Sequence, residues 1–483
     1  MAAANWIAGT VELSSKVRYG LTSRGVPLFR FIPYDRRLSP FAVGCSSREL
    51  FYNIHAIAEP IPCADNVKVQ KTTTMPRAAI VQTLGPPTMT TELALLLATY
   101  AHDSRKELRV FPVQPQAPPP PTTHILYPHP TFHIDPPGCR DVDDTFSFVQ
   151  TEDETWEVGI HIADVATAIP EGSPLDHHAA ALATSFYDPT GRVVQSMLPP
   201  ALSEVSASLR PSDPPQPKPS LSLFMRFDGK AITDIQWKKT LTTTTVSYTY
   251  DEATRSPPYV LAELARVLGG AAHDAHTWVE RMMIFYNEQA GILLASHGKG
   301  ILRRHSAPAA AKLKALLAIP GIPDFLAYQA AEYCLPADGD TTHYGLARSA
   351  YAYASSPLRR YADLVNQRAL HAILDGRASP EQSPTLVDEL NRRQRQAKAF
   401  SRDLFFISVL QGGQTVAAGT VVSTAPARPG LWKTKVWVPA WQRVITARST
   451  EPPTLTAGSL VALTWYDRRD APNWKERMVF QLK

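Results

Sequence analysis

His133-Ile134-Asp135-Pro136-Pro137-Gly138-Cys139-Arg140-Asp141-Val142-Asp143-Asp144 places four aspartates within ten residues. A Pro-Pro-Gly turn separates the first from the other three, so the loop can fold back and bring the carboxylates together. Like charges held this close repel and raise one another's pKa unless a cation neutralises them. Short, hard carboxylates around an open position suit Mg²⁺, which keeps several waters and completes its shell with substrate phosphate oxygens. A metal so held polarises a phosphodiester and generates a hydroxide nucleophile. A helix-capping loop, a Ca²⁺ loop and a solvated acidic turn are the structural alternatives. The Ca²⁺ loop lacks its glutamate, because Phe146 stands at the twelfth position counted from Asp135.

Outward from this stretch, strands are expected at Phe146–Val149 and Trp156–Ile162. Helical spacing follows over 274–297 through Trp278, Met282, Phe285 and Ile292. Another helix is expected after Pro357 through Tyr361, Leu364, Val365 and Arg368. A third starts at the cap pair Ser383-Pro384, reaches about Leu410 and is broken by Gly412-Gly413. The last 70 residues return to alternating strands, Gly419–Val422 and Lys435–Val438, and hold five of the nine tryptophans. On the N-terminal side, alternation over 10–33 punctuated by Gly20, Gly25 and Pro33 predicts short antiparallel strands in a small barrel. A second small unit is expected at about 60–110, with a strand at Ala78–Val81 and a helix from Thr91 to Tyr100. The prolines of 112–130 read as an extended linker. No repeat recurs at a fixed period.

A second chemical segment is Ser355-Ser356-Pro357-Leu358-Arg359-Arg360-Tyr361-Ala362-Asp363-Leu364, preceded by His343-Tyr344-Gly345-Leu346-Ala347. Paired arginines in the first turn of a helix oppose its dipole, an arrangement that calls for an anion. Arginine suits planar, bidentate phosphate recognition; an internal partner such as Asp363 is the alternative. Arg392, Arg393, Arg395, Lys398 and Arg402 form a basic stretch with no acid between Asn391 and Arg402. It reads either as a solvated helix face or as the wall of a nucleic-acid channel.

At 483 residues the chain is long enough for about three domains. With 19% charged and 44% apolar residues it is neither a disordered tail nor a membrane protein. No apolar run of about 18 residues exists, so a spanning helix is not expected. The N-terminus has no basic segment leading into an apolar stretch, so a secretory signal is not expected either. Cys45, Cys63, Cys139 and Cys334 lie far apart with no CxxC pair, which argues against a disulfide framework or a zinc ribbon. A reduced, cytoplasmic protein is expected, with organellar import left open. The net charge is +5, but residues 1–110 carry 13 Lys/Arg against 8 Asp/Glu and 415–483 carry 10 against 4. Basic ends around a slightly acidic middle suit a polyanion held at the ends while a cation site works between them.

Together these residues resemble the RNase II (RNB) family of hydrolytic exoribonucleases. Four ordered motifs carry the resemblance across about 131–411. They are Asp135 to Asp144; Gly159–Val165 with Gly172–Asp176; Thr184–Tyr187 with Met197–Pro199; and Ser356–Leu364. The resemblance implies an α+β multidomain protein in which small OB-like β-barrels flank a central α/β RNB catalytic domain. The boundaries expected are an OB or cold-shock-like RNA-binding domain at 1–60, a second OB-like domain at 61–111 and the linker at 112–130. The RNB catalytic domain then spans 131–411, and a C-terminal OB-like RNA-binding domain spans 415–483. It further implies processive 3′→5′ cleavage of single-stranded RNA to nucleoside 5′-monophosphates with Mg²⁺, for which Mn²⁺ substitutes. Asp135, Asp141 and Asp144 match the family's metal-site carboxylates, and Asp143 the aspartate tied to the hydrolytic step. Tyr187 falls where a tyrosine stacks on the last base, and Arg359 where an arginine clamps the scissile phosphate. Arg360, Arg395 and Lys398 are expected to contact RNA. Partners such as an RNA helicase or a degradation complex are not legible in the sequence.

Gln394 stands where the bacterial branch has a glutamate, as in exosome-type members, and 204–220 is richer in proline than the family pattern. His161, Asp164 and His343 belong to the motifs but are expected to be buried structural groups. Cys139 reads as a tolerated small residue, and most of the last domain's tryptophans as core. The rival readings are a catalytically inactive RNA-binding scaffold and a different Mg²⁺ phosphodiesterase such as a DNA exonuclease. Inactive relatives are expected to lose an aspartate or the arginine, and this chain has all of them.

Overall fold

Alternating short strands leave unpaired edges unless they close, and the N-terminal ones close into a barrel. The computed structural model describes residues 6–62, 75–101, 123–256, 258–270, 274–378, 381–413, 415–452 and 454–482. Strands β1 (Ile7–Val11), β2 (Leu28–Pro33), β3 (Phe41–Gly44), β4 (Ile54–Pro60) and β5 (Arg77–Gly85) form a closed barrel in the order β1-β2-β3-β5-β4. Phe29, Phe31, Val43, Ile54 and Ala58 fill it. Here the structure corrects the expected second small unit at 61–111. Its strand is β5, which pairs parallel with β3 and antiparallel with β4, and its Ala78 enters the core of the first barrel. Without β5, both β3 and β4 would keep a free edge. The helix Met89–Tyr100 follows, capped by Thr88, and residues 102–122 lie outside those described.

The central unit is a second closed barrel. It contains β6 (Ile125–Asp135), β7 (Asp144–Gln150), β8 (Trp156–Ala163), β11 (Lys218–Phe227) and β12 (Ile232–Thr249), in the order β11-β12-β6-β7-β8. Between β8 and β11 in the chain, β9 (Phe186–Tyr187) and β10 (Val193–Gln195) make a small hairpin. Residues 125–130 of the expected linker are strand, because β6 runs through Pro128 and Pro130. Proline is tolerated there because β6 pairs with β7 only at Phe132, which leaves its first half an edge on that side. One face of the barrel packs Phe146, Ile160, Ile162, Leu221 and Leu223 against the helix Ala275–Ser296. Buried polar groups on the same strands hydrogen-bond in a chain. Ser147 Oγ lies 2.9 Å from His161 Nε2, His161 Nδ1 lies 2.8 Å from Ser222 Oγ, and Ser222 Oγ lies 2.6 Å from Thr240 Oγ1.

Two of its other helices carry the segments that bear on the site. Tyr361–Leu374 starts directly after the arginine pair, not with it, so Arg359 lies in the preceding turn and Arg360 is the N-cap residue. Pro384–Gln411 starts as the sequence predicts, with Ser383 Oγ accepting from Leu386 N at 3.2 Å. Strands β13 (Leu302–Arg304) and β14 (Glu332–Cys334) pair beside them. The C-terminal unit is a five-stranded sheet of β15 (Val416–Arg428), β16 (Leu431–Val438), β17 (Arg443–Ser449), β18 (Leu460–Asp467) and β19 (Met478–Leu482), ordered β17-β16-β15-β18-β19. Trp437, Trp465 and Trp474 are buried, as expected of core tryptophans. No described helix is long and apolar enough to cross a membrane.

Candidate active site

The aspartate loop joins the last residue of β6 to the first of β7, so all four carboxylates emerge at one end of the central barrel. Gly138, at φ +78°, makes the turn that the Pro-Pro-Gly sequence predicts. A cleft of about 720 Å³ lies over this end, lined by Asp135, Asp141, Asp143, Asp144, Tyr187 and Arg359. Asp143 is 4% exposed. Its Oδ1 accepts from Leu358 N at 2.9 Å and its Oδ2 from Arg359 Nε at 3.1 Å. This pair ties the aspartate loop to the arginine segment, some two hundred residues later in the chain. Arg359 Nη2 donates to Ser356 Oγ at 3.0 Å, and the side chain, 44% exposed, keeps donors free on the cleft side.

Tyr187 is held by the same segment. Ser185 N and Thr184 Oγ1 both donate to the carbonyl of Arg359, at 3.0 and 2.9 Å, which clips the β9–β10 hairpin to the arginine turn. The Tyr187 hydroxyl then donates to Asp141 Oδ2 at 3.2 Å. Asp135 Oδ2 lies 2.8 Å from His133 Nδ1.

Burial and mutual repulsion set the charges. Burial pushes the Asp143 carboxyl up to about 7 against the opposing Arg359 charge. Asp144 is raised well above the usual carboxylate range by burial and by the charges of Asp135 and Asp143. Burial also raises Asp141. Among the described residues, none of Asp135, Asp141 and Asp144 forms an ion pair with a lysine or arginine, whereas Arg140 pairs with Glu204 at the rim. An excess of buried carboxylate around open space fits a hard divalent cation. The carboxylates ring the cleft without closing a cage. Among the described residues, ligand atoms of three His, Cys, Asp or Glu side chains converge within 4.8 Å only at His124, Asp164 and His371, outside this cleft. A ring of that kind suits Mg²⁺, which retains waters and shares phosphate oxygens. Burial pushes the Cys139 thiol up, so it is no thiolate nucleophile.

A second cleft of about 510 Å³ shares Tyr187 and Arg359 with the first and continues along Tyr333, Tyr353, Arg360 and Lys398 to Arg443 of the C-terminal sheet. The other predicted basic residues divide. Arg360 donates to Asp363 Oδ1 at 2.7 Å and stacks 4.0 Å over the Tyr353 ring, so its charge has the internal partner left open above. Arg395 is exposed on the same helix as Lys398 and lines neither cleft. Arg392 and Arg393 both bind Glu389, and Arg402 binds Asp403, because a helix brings in acids from just outside the acid-free stretch.

Sequence reading missed Tyr250, which lines the first cleft and stacks on His276 at 3.6 Å, and Tyr333 and Tyr353, which sandwich Arg303 at 4.4 and 4.8 Å. Gln394 accepts from Arg303 Nη1 at 2.7 Å, so it holds a cation-π pair and does not face the aspartates. His161 is fully buried, with its pKa pushed down to about 3 by burial, which makes it a neutral structural group. Burial likewise lowers His343, to about 4.

Known proteins resemble this chain in sequence and in fold. The RNB domain model matches residues 125–256 and 263–376. The exosome complex exonuclease RRP44 homolog A of Arabidopsis thaliana is 27% identical over 370 residues, covering 58% of this chain and 38% of the relative. The chain thus spans about two fifths of the length of the curated relatives it matches first. The apo form of Mycoplasma genitalium RNase R superposes with a TM-score of 0.73 at 13% identity, covering 100% of this chain and 90% of that one. The structure of yeast Ssd1, a pseudonuclease, superposes at 0.68 with 16% identity, covering 100% and 68%.

Proposed function

The chain belongs to the RNB domain family, and from that membership and the geometry of its cleft we propose that it is a processive 3′→5′ exoribonuclease. It hydrolyses single-stranded RNA to nucleoside 5′-monophosphates inside the cell. The observation that carries this is the gathering of Asp135, Asp141, Asp143, Asp144, Tyr187 and Arg359 around one cleft. Asp135, Asp141 and Asp144 would hold Mg²⁺, with Mn²⁺ as substitute; bound there, the metal would polarise the scissile phosphodiester and acidify the attacking water. Asp143, whose two oxygens accept from Leu358 N and Arg359 Nε, would act at the hydrolytic step by fixing the arginine turn over the metal-site carboxylates. Arg359, oriented by Asp143 and Ser356, presents its free donors to the phosphate, where negative charge develops. The Tyr187 ring stacks on the terminal base without regard to its identity. The second cleft guides the strand, with Lys398 and Arg443 supplying positive charge along its wall.

The fold shared with a protein named a pseudonuclease supports a second reading, an inactive RNA-binding scaffold. A time course on 5′-labelled single-stranded RNA with Mg²⁺ separates the two. The exonuclease converts full-length strand to a short end product without intermediates, and Asp143→Asn binds RNA yet leaves it whole. Tight binding without degradation by the wild type would establish the scaffold.

A further inference from the structure

Away from the cleft, the geometry points to a second metal site, for a Zn²⁺-class transition metal, formed by His124, Asp164 and His371. Asp164 Oδ2 lies 2.7 Å from His124 Nε2 and 3.0 Å from His371 Nε2. At tetrahedral zinc, ligand atoms bonded at about 2.0–2.2 Å stand about 3.3 Å apart. The two short edges therefore need to open by about 0.6 and about 0.3 Å, from 2.7 and 3.0 Å to about 3.3 Å. Two imidazoles with one carboxylate select Zn²⁺, Co²⁺ or Ni²⁺ over Mg²⁺, which prefers oxygen alone. The donor set is thus chemically distinct from the all-carboxylate cleft.

Three further features favour a ligand over a purely hydrogen-bonded trio. First, the side chains are oriented by outer partners. Thr167 N and Oγ1 donate to the two Asp164 oxygens at 3.1 and 2.7 Å, and Thr123 Oγ1 lies 3.2 Å from His124 Nδ1. Second, His371 Nε2 is buried, and although it lies near Asp164 it has no hydrogen bond of sound geometry among the described residues. Deprotonated, that nitrogen offers a lone pair to a cation held jointly with Asp164, with which it otherwise forms the 3.0 Å ion pair. Third, a cleft lies on each side of the trio, although the His124 and Asp164 side chains are themselves buried. Asp164 lines a cleft of about 570 Å³ with Thr167 and Lys218, and His371 lines another of about 210 Å³. The nearby Arg368 is committed to Asp176 at 2.8 Å and does not compensate Asp164. A bound ion would staple the residue before β6, the residue after β8 and the last turn of Tyr361–Leu374, the helix that follows the arginine turn.

The test uses the full chain, stripped with chelator and titrated with Co²⁺ in a large excess of Mg²⁺. One Co²⁺ per chain is expected, with the visible absorption of a four-coordinate nitrogen–oxygen site, bleached when Zn²⁺ displaces it. His371→Ala should weaken Co²⁺ binding by at least about a hundredfold, while Asp141→Asn in the cleft leaves it unchanged. Should His371→Ala fail to fold, X-ray absorption on the wild-type Co²⁺ protein decides by counting imidazole ligands. Absence of the band in wild type, full retention in His371→Ala, or a shell of oxygen only would overturn the site. Because the readout is metal binding, the result is independent of whether the chain degrades RNA.

Discussion

The Asp143 carboxyl sits where burial and an arginine pull in opposite directions, and burial prevails, leaving it near 7. The sign follows from linkage. A carboxyl whose folded pKa lies above its unfolded value keeps a proton that the unfolded chain has released, so stability falls as pH rises from about 4 to about 7. The shift corresponds to an upper bound on the order of 4 kcal/mol. Asp143→Asn removes that ionisation, so in chelator its melting temperature should exceed that of wild type at pH 8 and approach it at pH 4. A gap of equal size at both pH values would show that the carboxyl does not ionise in this window. Asp141 and Asp144 are raised as well, so Mg²⁺ must displace protons to bind. The Mg²⁺-induced rise in melting temperature should therefore be larger at pH 8 than at pH 5, with proton release seen in calorimetry in buffers of differing ionisation enthalpy. Tyr187 divides its work between ring and hydroxyl. Tyr187→Phe loses only the bond to Asp141 and should keep the end-product length, while Tyr187→Ala should lengthen the end product on a denaturing gel. The four aspartates, Tyr187 and Arg359 were legible in the sequence because local motifs name them. Tyr250, Tyr333, Tyr353 and Arg443 were not, because no spacing links residues brought together from four separate segments.

At the scale of elements, the approach of the helix Ala275–Ser296 to the segment before the arginine turn places Arg359. Asn287 O accepts from Ala352 N at 3.1 Å, and Asn287 Oδ1 accepts from Ala354 N at 2.8 Å, so the extended chain lies along the helix. Gly291 permits that approach, since a Cβ there would stand 2.7 Å from the Tyr351 backbone nitrogen and Cα. Two effects compete in Gly291→Ala. Helix propensity favours alanine by about 1 kcal/mol, whereas overpacking against backbone costs typically 1–3 kcal/mol or more. With backbone as the obstacle, the clash should win by roughly 1–2 kcal/mol in urea denaturation, and displacement of Arg359 should lower kcat more than RNA affinity. A variant as stable and active as wild type would mean the segment yields freely. The same scale explains what sequence reading got wrong about elements. Alternation revealed β5 as a strand but not its partners, because pairing is decided by which edges remain open. The prolines of β6 read as linker because a missing N–H looks the same in a linker as on a free strand edge.

For the molecule as a whole, the question is what holds the outer β units in place beside the clefts, since Arg443 reaches the second cleft only if the C-terminal sheet stays docked. Asp403, fully buried on the helix Pro384–Gln411, is the joint. Its Oδ2 accepts from the Tyr34 hydroxyl of the N-terminal unit at 2.9 Å and from the Tyr100 hydroxyl at 2.6 Å. Its Oδ1 lies 2.8 Å from Arg402 Nη2, and Lys475 of the C-terminal unit approaches Oδ2 at 3.4 Å. One carboxylate thus serves four elements, and the Tyr34 and Tyr100 hydroxyls would lose their acceptor if it were removed. Breaking a buried charged group costs about 3–5 kcal/mol, against about 1 kcal/mol for one neutral hydroxyl bond. Tyr34→Phe should therefore leave a single calorimetric transition slightly lowered. Asp403→Ala should split the transition in two, with the outer units melting first, and should weaken RNA binding while sparing hydrolysis of a dinucleotide that needs only the aspartate cleft. If Asp403→Ala melts in one transition and binds RNA like wild type, the apolar core shared by Leu95, Phe406, Trp465 and Trp474 holds the units together without it.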